Sequence, residues 1–169
     1  KVFDVNVKQK YSKASTGYKS IMKIILALAN PSEYIFLDEP VLGLDANHRQ
    51  LFNKKLLEAY ARRPRTFVIA THLIEEVASI LEKVIVIKDG LVTEEVLVED
   101  VLRKGYVVSG ASSLVQEYVA DKKVLETEQI GNFTRSVVIG AIGEAQPGLE
   151  FSPLTLQDYF ISITRKENE

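Results

Sequence analysis

The sequence predicts an α/β fold, a parallel sheet with flanking helices, followed by a small α+β extension at the C-terminus. Two short apolar runs, "YIFLDEP" and "TFVIAT", are bounded by turn residues and are too short for helices of ordinary length, so both read as buried strands. Segments of helical period lie before and between them, the rhythm of a parallel sheet with crossover helices. From about Tyr106 onward that rhythm gives way to short strands, several glycines and two helical stretches. The expected division is therefore 1–105 for the α/β part and 106–169 for the extension.

The opening segment, "KVFDVNVKQKYSK", alternates apolar and polar residues through Val2, Val5 and Val7, and fits either a strand or the tail of an element not included. "STGYKSIMKIILALANP" predicts a helix: Ser15 and Thr16 are residues that cap helix N-termini, and Asn30-Pro31 stops the run. A second helix is expected over "ANHRQLFNKKLLEAYARR", with Leu51, Phe52, Leu56 and Tyr60 near helical spacing and Pro64 beyond its end. After "TFVIAT" a helix is expected from Leu73 to Leu81, then a hairpin, "KVIVIKDGLVTEEVLV", turning at Asp89-Gly90. The extension is expected to hold a helix near Ala111 to Val119 and a final amphipathic helix through Leu154, Leu156, Tyr159, Phe160 and Ile163.

At 169 residues, 46% hydrophobic and 26% charged, the chain has ample material for a packed core. Its net charge of −2 gives no pull toward phosphate backbones, so no nucleic-acid partner is expected. Cysteine is absent, which removes disulfides and thiolate metal sites. No apolar run approaches the roughly 18 to 20 residues needed to cross a bilayer, and no signal peptide is visible; a soluble, cytoplasmic location is expected. The start at Lys1 suggests a piece cut from a longer product.

Ligands of open α/β sheets sit beyond the carboxyl ends of the strands. There the sequence puts Asp38 and Glu39 after the first strand, and Thr71 and His72 after the second. An Asp delivered by a strand suits Mg²⁺, because hard cations prefer carboxylate oxygen; the adjacent Glu could polarise a water, and a nearby His could sense a terminal phosphate.

In this combination the chain resembles the nucleotide-binding subunits of ABC (ATP-binding cassette) proteins, a branch of the P-loop NTPases, from about Ala14 to Gly90. "YIFLDEP" looks like the Walker B strand, "LGLDANH" like the D-loop centred on Asp45, and "IATH" like the switch strand ending in His72. "ASTGY" stands in the place of the family's "LSGGQ" signature: Ser15 and Gly17 match, whereas Ala14, Thr16 and Tyr18 depart. The resemblance implies ATP and Mg²⁺ as cofactors, Asp38 as the metal residue and Glu39 and His72 as the catalytic pair. It further implies that Ser15, Thr16, Gly17, Tyr18 and Asp45 serve nucleotide binding.

The phosphate-cradling pattern G-x-x-x-x-G-K-[ST] occurs nowhere in the chain. The resemblance is thus to the C-terminal part of an ATPase domain, inactive by itself. It implies an ATPase in the full-length protein, paired as a homodimer or heterodimer of nucleotide-binding subunits and attached to a transmembrane permease on the inner face of the membrane, with an exporter expected. A non-catalytic dimerisation module and a soluble ABC ATPase outside transport are the alternatives. Taken alone, an Asp-Glu pair is more often a cap and a solvated turn, Ser-Thr-Gly a common capping phrase, and His48 a structural residue at a helix start; the order and spacing of all the motifs together favour the functional reading.

Overall fold

The computed structural model describes Phe3 and residues 10–144 and 146–165; the alternation through Val2, Val5 and Val7 lies outside the described residues. The chain divides after Ile80 into two compact units.

The first unit begins with helix α1, Thr16–Ala29, capped by Ser15, whose hydroxyl accepts from the Tyr18 amide at 3.2 Å. Strand β1, Tyr34–Asp38, helix α2, Ala46–Arg62, and strand β2, Thr66–Ala70, follow. The two strands are parallel and in register from Tyr34 opposite Thr66 to Asp38 opposite Ala70. Asp45 caps α2, its carboxylate accepting from the His48 amide at 2.9 Å. The core joins Ile21 and Ile24 of α1, Ile35 and Leu37 of β1, Val41 and Leu44 of the connecting loop, and Phe52, Leu56 and Ala59 of α2. Arg65 closes the far end of α1: its guanidinium donates to the carbonyls of Leu28 and Asn30 and lies over the Phe67 ring.

Two expectations are corrected here. The strand "YIFLDEP" is not buried on both faces: Ile35 and Leu37 are covered, while Tyr34 and Phe36 are exposed, Phe36 at 75%. A pleated strand sends alternate side chains to opposite faces, and within this unit α1 and α2 cover only one. The helix expected from Leu73 to Leu81 shrinks to α3, Ile74–Val77, continued by a tighter turn over Ala78–Ile80. Leu73 stands at its cap position and has no oxygen to offer the first amides.

The second unit opens with an antiparallel hairpin, β3, Lys83–Lys88, and β4, Leu91–Leu97, turning at Asp89 and Gly90, both left-handed. Among the described residues the parallel sheet is thus two strands wide, and the hairpin is a separate sheet. Helix α4, Val98–Arg103, leads into β5, Gly105–Ala111, α5, Ser112–Val119, β6, Lys123–Ile130, β7, Phe133–Ile139, β8, Leu149–Pro153, and α6, Leu156–Arg165. The four strands form an antiparallel sheet in the order β6-β7-β5-β8. Tyr106, Val108, Val115, Tyr118 and Val138 make its core, with Tyr118 edge-on to Phe151 at 5.2 Å between ring centres.

Candidate functional site

Register decides what meets at the carboxyl end of the parallel pair. Asp38 opposes Ala70, and the Glu39 amide extends the ladder by donating to the Ala70 carbonyl at 2.8 Å. Directly after that bond the chain turns: Glu39 is left-handed, with φ of 44°. A non-glycine residue in that region carries strain of order 1–3 kcal/mol and persists where its surroundings hold it.

The hold is visible. Thr71 Oγ1 donates to Glu39 Oε2 at 2.7 Å, the His72 amide donates to Oε1 at 3.1 Å, and His72 Nδ1 lies 2.7 Å from the same oxygen. An ionised carboxylate only accepts, so Nδ1 carries the hydrogen, and Nε2 stands on the far side of a ring that is 68% exposed. Partial burial works to raise the Glu39 pKa, but the hydrogen bonds from His72 and Thr71 outweigh it and hold the carboxyl below its ordinary value of 4.5. Glu39 is therefore an acceptor at neutral pH. Its contribution to stability is present above the ordinary carboxylate range and fades as pH falls through the lowered value.

Asp38 stands exposed at the end of β1, outside this set of hydrogen bonds. Mg²⁺ in nucleotide sites takes one or two carboxylates, several waters and the phosphates themselves, not an all-protein cage. One free-standing carboxylate at a strand end fits that chemistry, and no group of three or more His, Cys, Asp or Glu suited to a metal occurs among the described residues.

The segment Ser15 to Tyr18 forms the first turn of α1, where backbone N–H groups lack partners within the helix and favour an anion. It is tied to the loop after β1. A Cβ on Gly17 would come within 2.5 Å of the Gly43 carbonyl oxygen, Gly43 is itself left-handed, and Ser20 Oγ donates to the Leu42 carbonyl at 3.1 Å. Glycine is demanded at 17 by that approach, quite apart from any ligand. Asp45, at the other end of the loop, is occupied by His48, whose Nδ1 lies 2.9 Å from Oδ2; the His48 amide and ring together lower the Asp45 pKa. The structure thus joins Glu39 with His72, and the turn of Ser15, Thr16, Gly17 and Tyr18 with the Leu42–Asp45 loop.

Sequence reasoning passed over Thr71 as a site member and missed Arg49, Asn53 and Glu76. Arg49 Nε donates to the Leu44 carbonyl at 2.9 Å and its terminal nitrogen to the Glu76 carboxylate; Asn53 Nδ2 donates to the Glu76 carbonyl at 2.8 Å. The available signal was spacing: Arg49 and Asn53 follow Asp45 at intervals of four, one face of α2.

No family model matches the chain. Among curated proteins it is 26% identical over 178 residues to the Nod factor export ATP-binding protein I of Burkholderia orbicola, an alignment covering 94% of this chain and 56% of that protein. It is 38% identical over 105 residues to YcbN of Bacillus subtilis, an uncharacterized ABC transporter ATP-binding protein, covering 57% of this chain and 33% of the relative. To the sulfate/thiosulfate import ATP-binding protein CysA 2 of Chromobacterium violaceum it is 30% identical over 129 residues, covering 76% and 33%. A crystal structure described as that of a cobalt transport ATP-binding protein superposes with a TM-score of 0.55 at 21% identity, over 84% of this chain and 51% of that one.

The fold is that of the ABC ATPases within the P-loop NTPases, and the chain is homologous to the ATP-binding proteins of ABC transporters. The chain itself contains no G-x-x-x-x-G-K-[ST] pattern. It spans about half the length of the first of these curated relatives and a third of the other two.

Proposed function

We propose that this chain is the C-terminal part of the ATP-hydrolysing subunit of an ABC membrane transporter. The observation that carries the reading is the hydrogen-bonded set of Glu39, Thr71 and His72 at the carboxyl ends of two parallel strands, beside the exposed carboxylate of Asp38. In this reading Glu39 orients and polarises the attacking water. A carboxyl held below its ordinary pKa suits an acceptor role and does not keep a proton. His72 and Thr71 fix the Glu39 carboxylate, and His72 would sense the terminal phosphate through its far nitrogen. Asp38 would hold Mg²⁺, which supplies Lewis-acid neutralisation of phosphate charge when bound.

The remaining anion-binding amides come from a phosphate loop in the rest of the gene product. The turn of Ser15, Thr16 and Gly17, with Tyr18 behind it, offers a hydroxyl and helix-end amides to a nucleotide held by a second subunit, with Asp45 at the same interface. The assembly is a homodimer or heterodimer of nucleotide-binding subunits, docked on a transmembrane permease at the inner face of the membrane. No helix among the described residues is long and apolar enough to cross a membrane, in keeping with a separate permease. The functional boundary falls near residue 105, with 106–169 as an extension. Export is the direction favoured: the relative aligned over 94% of the chain, extension included, is an export protein, while the import relative aligns over 76%.

The test is Mg²⁺-dependent ATP hydrolysis by the complete gene product, wild type beside Glu39→Gln. Wild-type turnover that falls by roughly a hundredfold or more in the variant, with ATP still bound, is the expected result. Equal turnover in both would remove Glu39 from the chemistry, and a folded wild type without turnover would remove the ATPase reading.

A further inference from the structure

Helix α3 begins two residues after His72 and has four residues, fewer than a helix needs to persist unaided. Its cap residue, Leu73, supplies no side-chain bond; the Leu73 amide instead donates to Thr71 Oγ1 at 3.0 Å. What holds this segment comes from α2. Glu76 is gripped twice, its carboxylate by Arg49 and its backbone carbonyl by Asn53 from the next turn. The Arg49 guanidinium spends a second donor on the Leu44 carbonyl, inside the loop that joins β1 to α2 and packs on Gly17. A planar guanidinium serves two acceptors at once, which the single head of a lysine does not reproduce.

We propose that Arg49 is a positioning residue which, through Glu76 and with Asn53, locks the segment carrying His72 to the Leu42–Asp45 loop. Movement of that loop on nucleotide or partner engagement is passed through one side chain to the group that holds Glu39. The inference rests on the ATPase reading for its consequence in turnover, and on the structure alone for the lock. It names three residues, Arg49, Asn53 and Glu76, that touch neither Glu39 nor His72 directly.

The experiment uses the complete gene product as wild type, Arg49→Lys, Glu76→Gln and the double variant. Glu76→Gln keeps size and backbone contacts, so it stays folded where Arg49 changes perturb more, and circular dichroism melts verify this. Hydrogen exchange reads the lock without reference to activity: the amides of Glu76 and Ala78, bonded to the Leu73 and Ile74 carbonyls, are expected to exchange roughly tenfold faster in each variant while α1 is unchanged. In turnover, kcat is expected to fall roughly ten- to a hundredfold with KM for ATP held within about twofold, and the double variant is expected to be no worse than the worse single.

Unchanged exchange at Glu76 and Ala78 overturns the lock. Faster exchange with wild-type kcat, or losses that multiply in the double variant, overturns the positioning role. A wild type that hydrolyses no ATP removes the ATPase reading instead, and the exchange result still decides the lock.

Discussion

At the scale of single residues, identity follows contact as often as it follows ligand chemistry. Gly17 belongs to the turn read as a nucleotide contact, yet the Gly43 carbonyl alone excludes a side chain there. Gly17→Ala is expected to lower the unfolding free energy by about 1–3 kcal/mol, because the new methyl must push helix and loop apart. Urea denaturation reads this directly, and a variant as stable as wild type would show that the loop yields freely. The placement of Asp38, Glu39 and His72 at the strand ends was legible in the sequence because strand ends are fixed by short apolar runs, and those runs are local. The Arg49–Glu76 pair was not legible: its partners lie 27 positions apart on different elements, and nothing local to either reports the other.

Among the elements, the second unit draws part of its stability from protonated groups. Tyr159 donates to Glu94 of β4 at 2.5 Å and accepts from Lys104 at 2.9 Å, linking β4, the C-terminal end of α4 and α6. The bond to Tyr159 raises the Lys104 pKa above its ordinary 10.5, burial followed by Glu94 raises that of Tyr159 above 10.0, and burial followed by Tyr118 pushes Tyr106 up as well. All three hold protons more tightly folded than unfolded. Their contribution is complete below the ordinary values and lost as pH climbs through the raised ones, so stability is expected to fall above about pH 10. Denaturant unfolding followed from about pH 8 to about pH 11 checks this, and Tyr159→Phe, by removing the shared hydroxyl, is expected both to cost about 1–3 kcal/mol at neutral pH and to shrink the alkaline fall. The helices α1, α2, α5 and α6 could be read from periodicity and caps. The place of β5 between β7 and β8 could not, since its partners lie far along the chain and such pairing leaves no local trace.

For the molecule as a whole, the 169 residues contain no G-x-x-x-x-G-K-[ST] pattern to cradle a nucleotide's phosphates. The chain in isolation is expected to show no Mg-ATP binding by calorimetry up to roughly millimolar ligand; micromolar affinity would mean that the phosphates are held by some other part of these residues. How completely a strand is covered belongs to this scale as well. The alternation of Tyr34, Ile35, Phe36 and Leu37 between exposed and buried depends on which layers the chain supplies, and no window of sequence contains that information.

Native stability sits close to the threshold that function requires, so selection on melting temperature alone finds whatever relieves strain. The left-handed backbone at Glu39 is one such place, since glycine would adopt it without penalty. Glycine there would also give up the bonds from Thr71 and His72, so an engineering campaign ranked by heat resistance weighs released strain against lost bonds and is blind to the work proposed for the carboxylate. At that codon robustness and the proposed work are separate traits, and a library screened for both reads them apart.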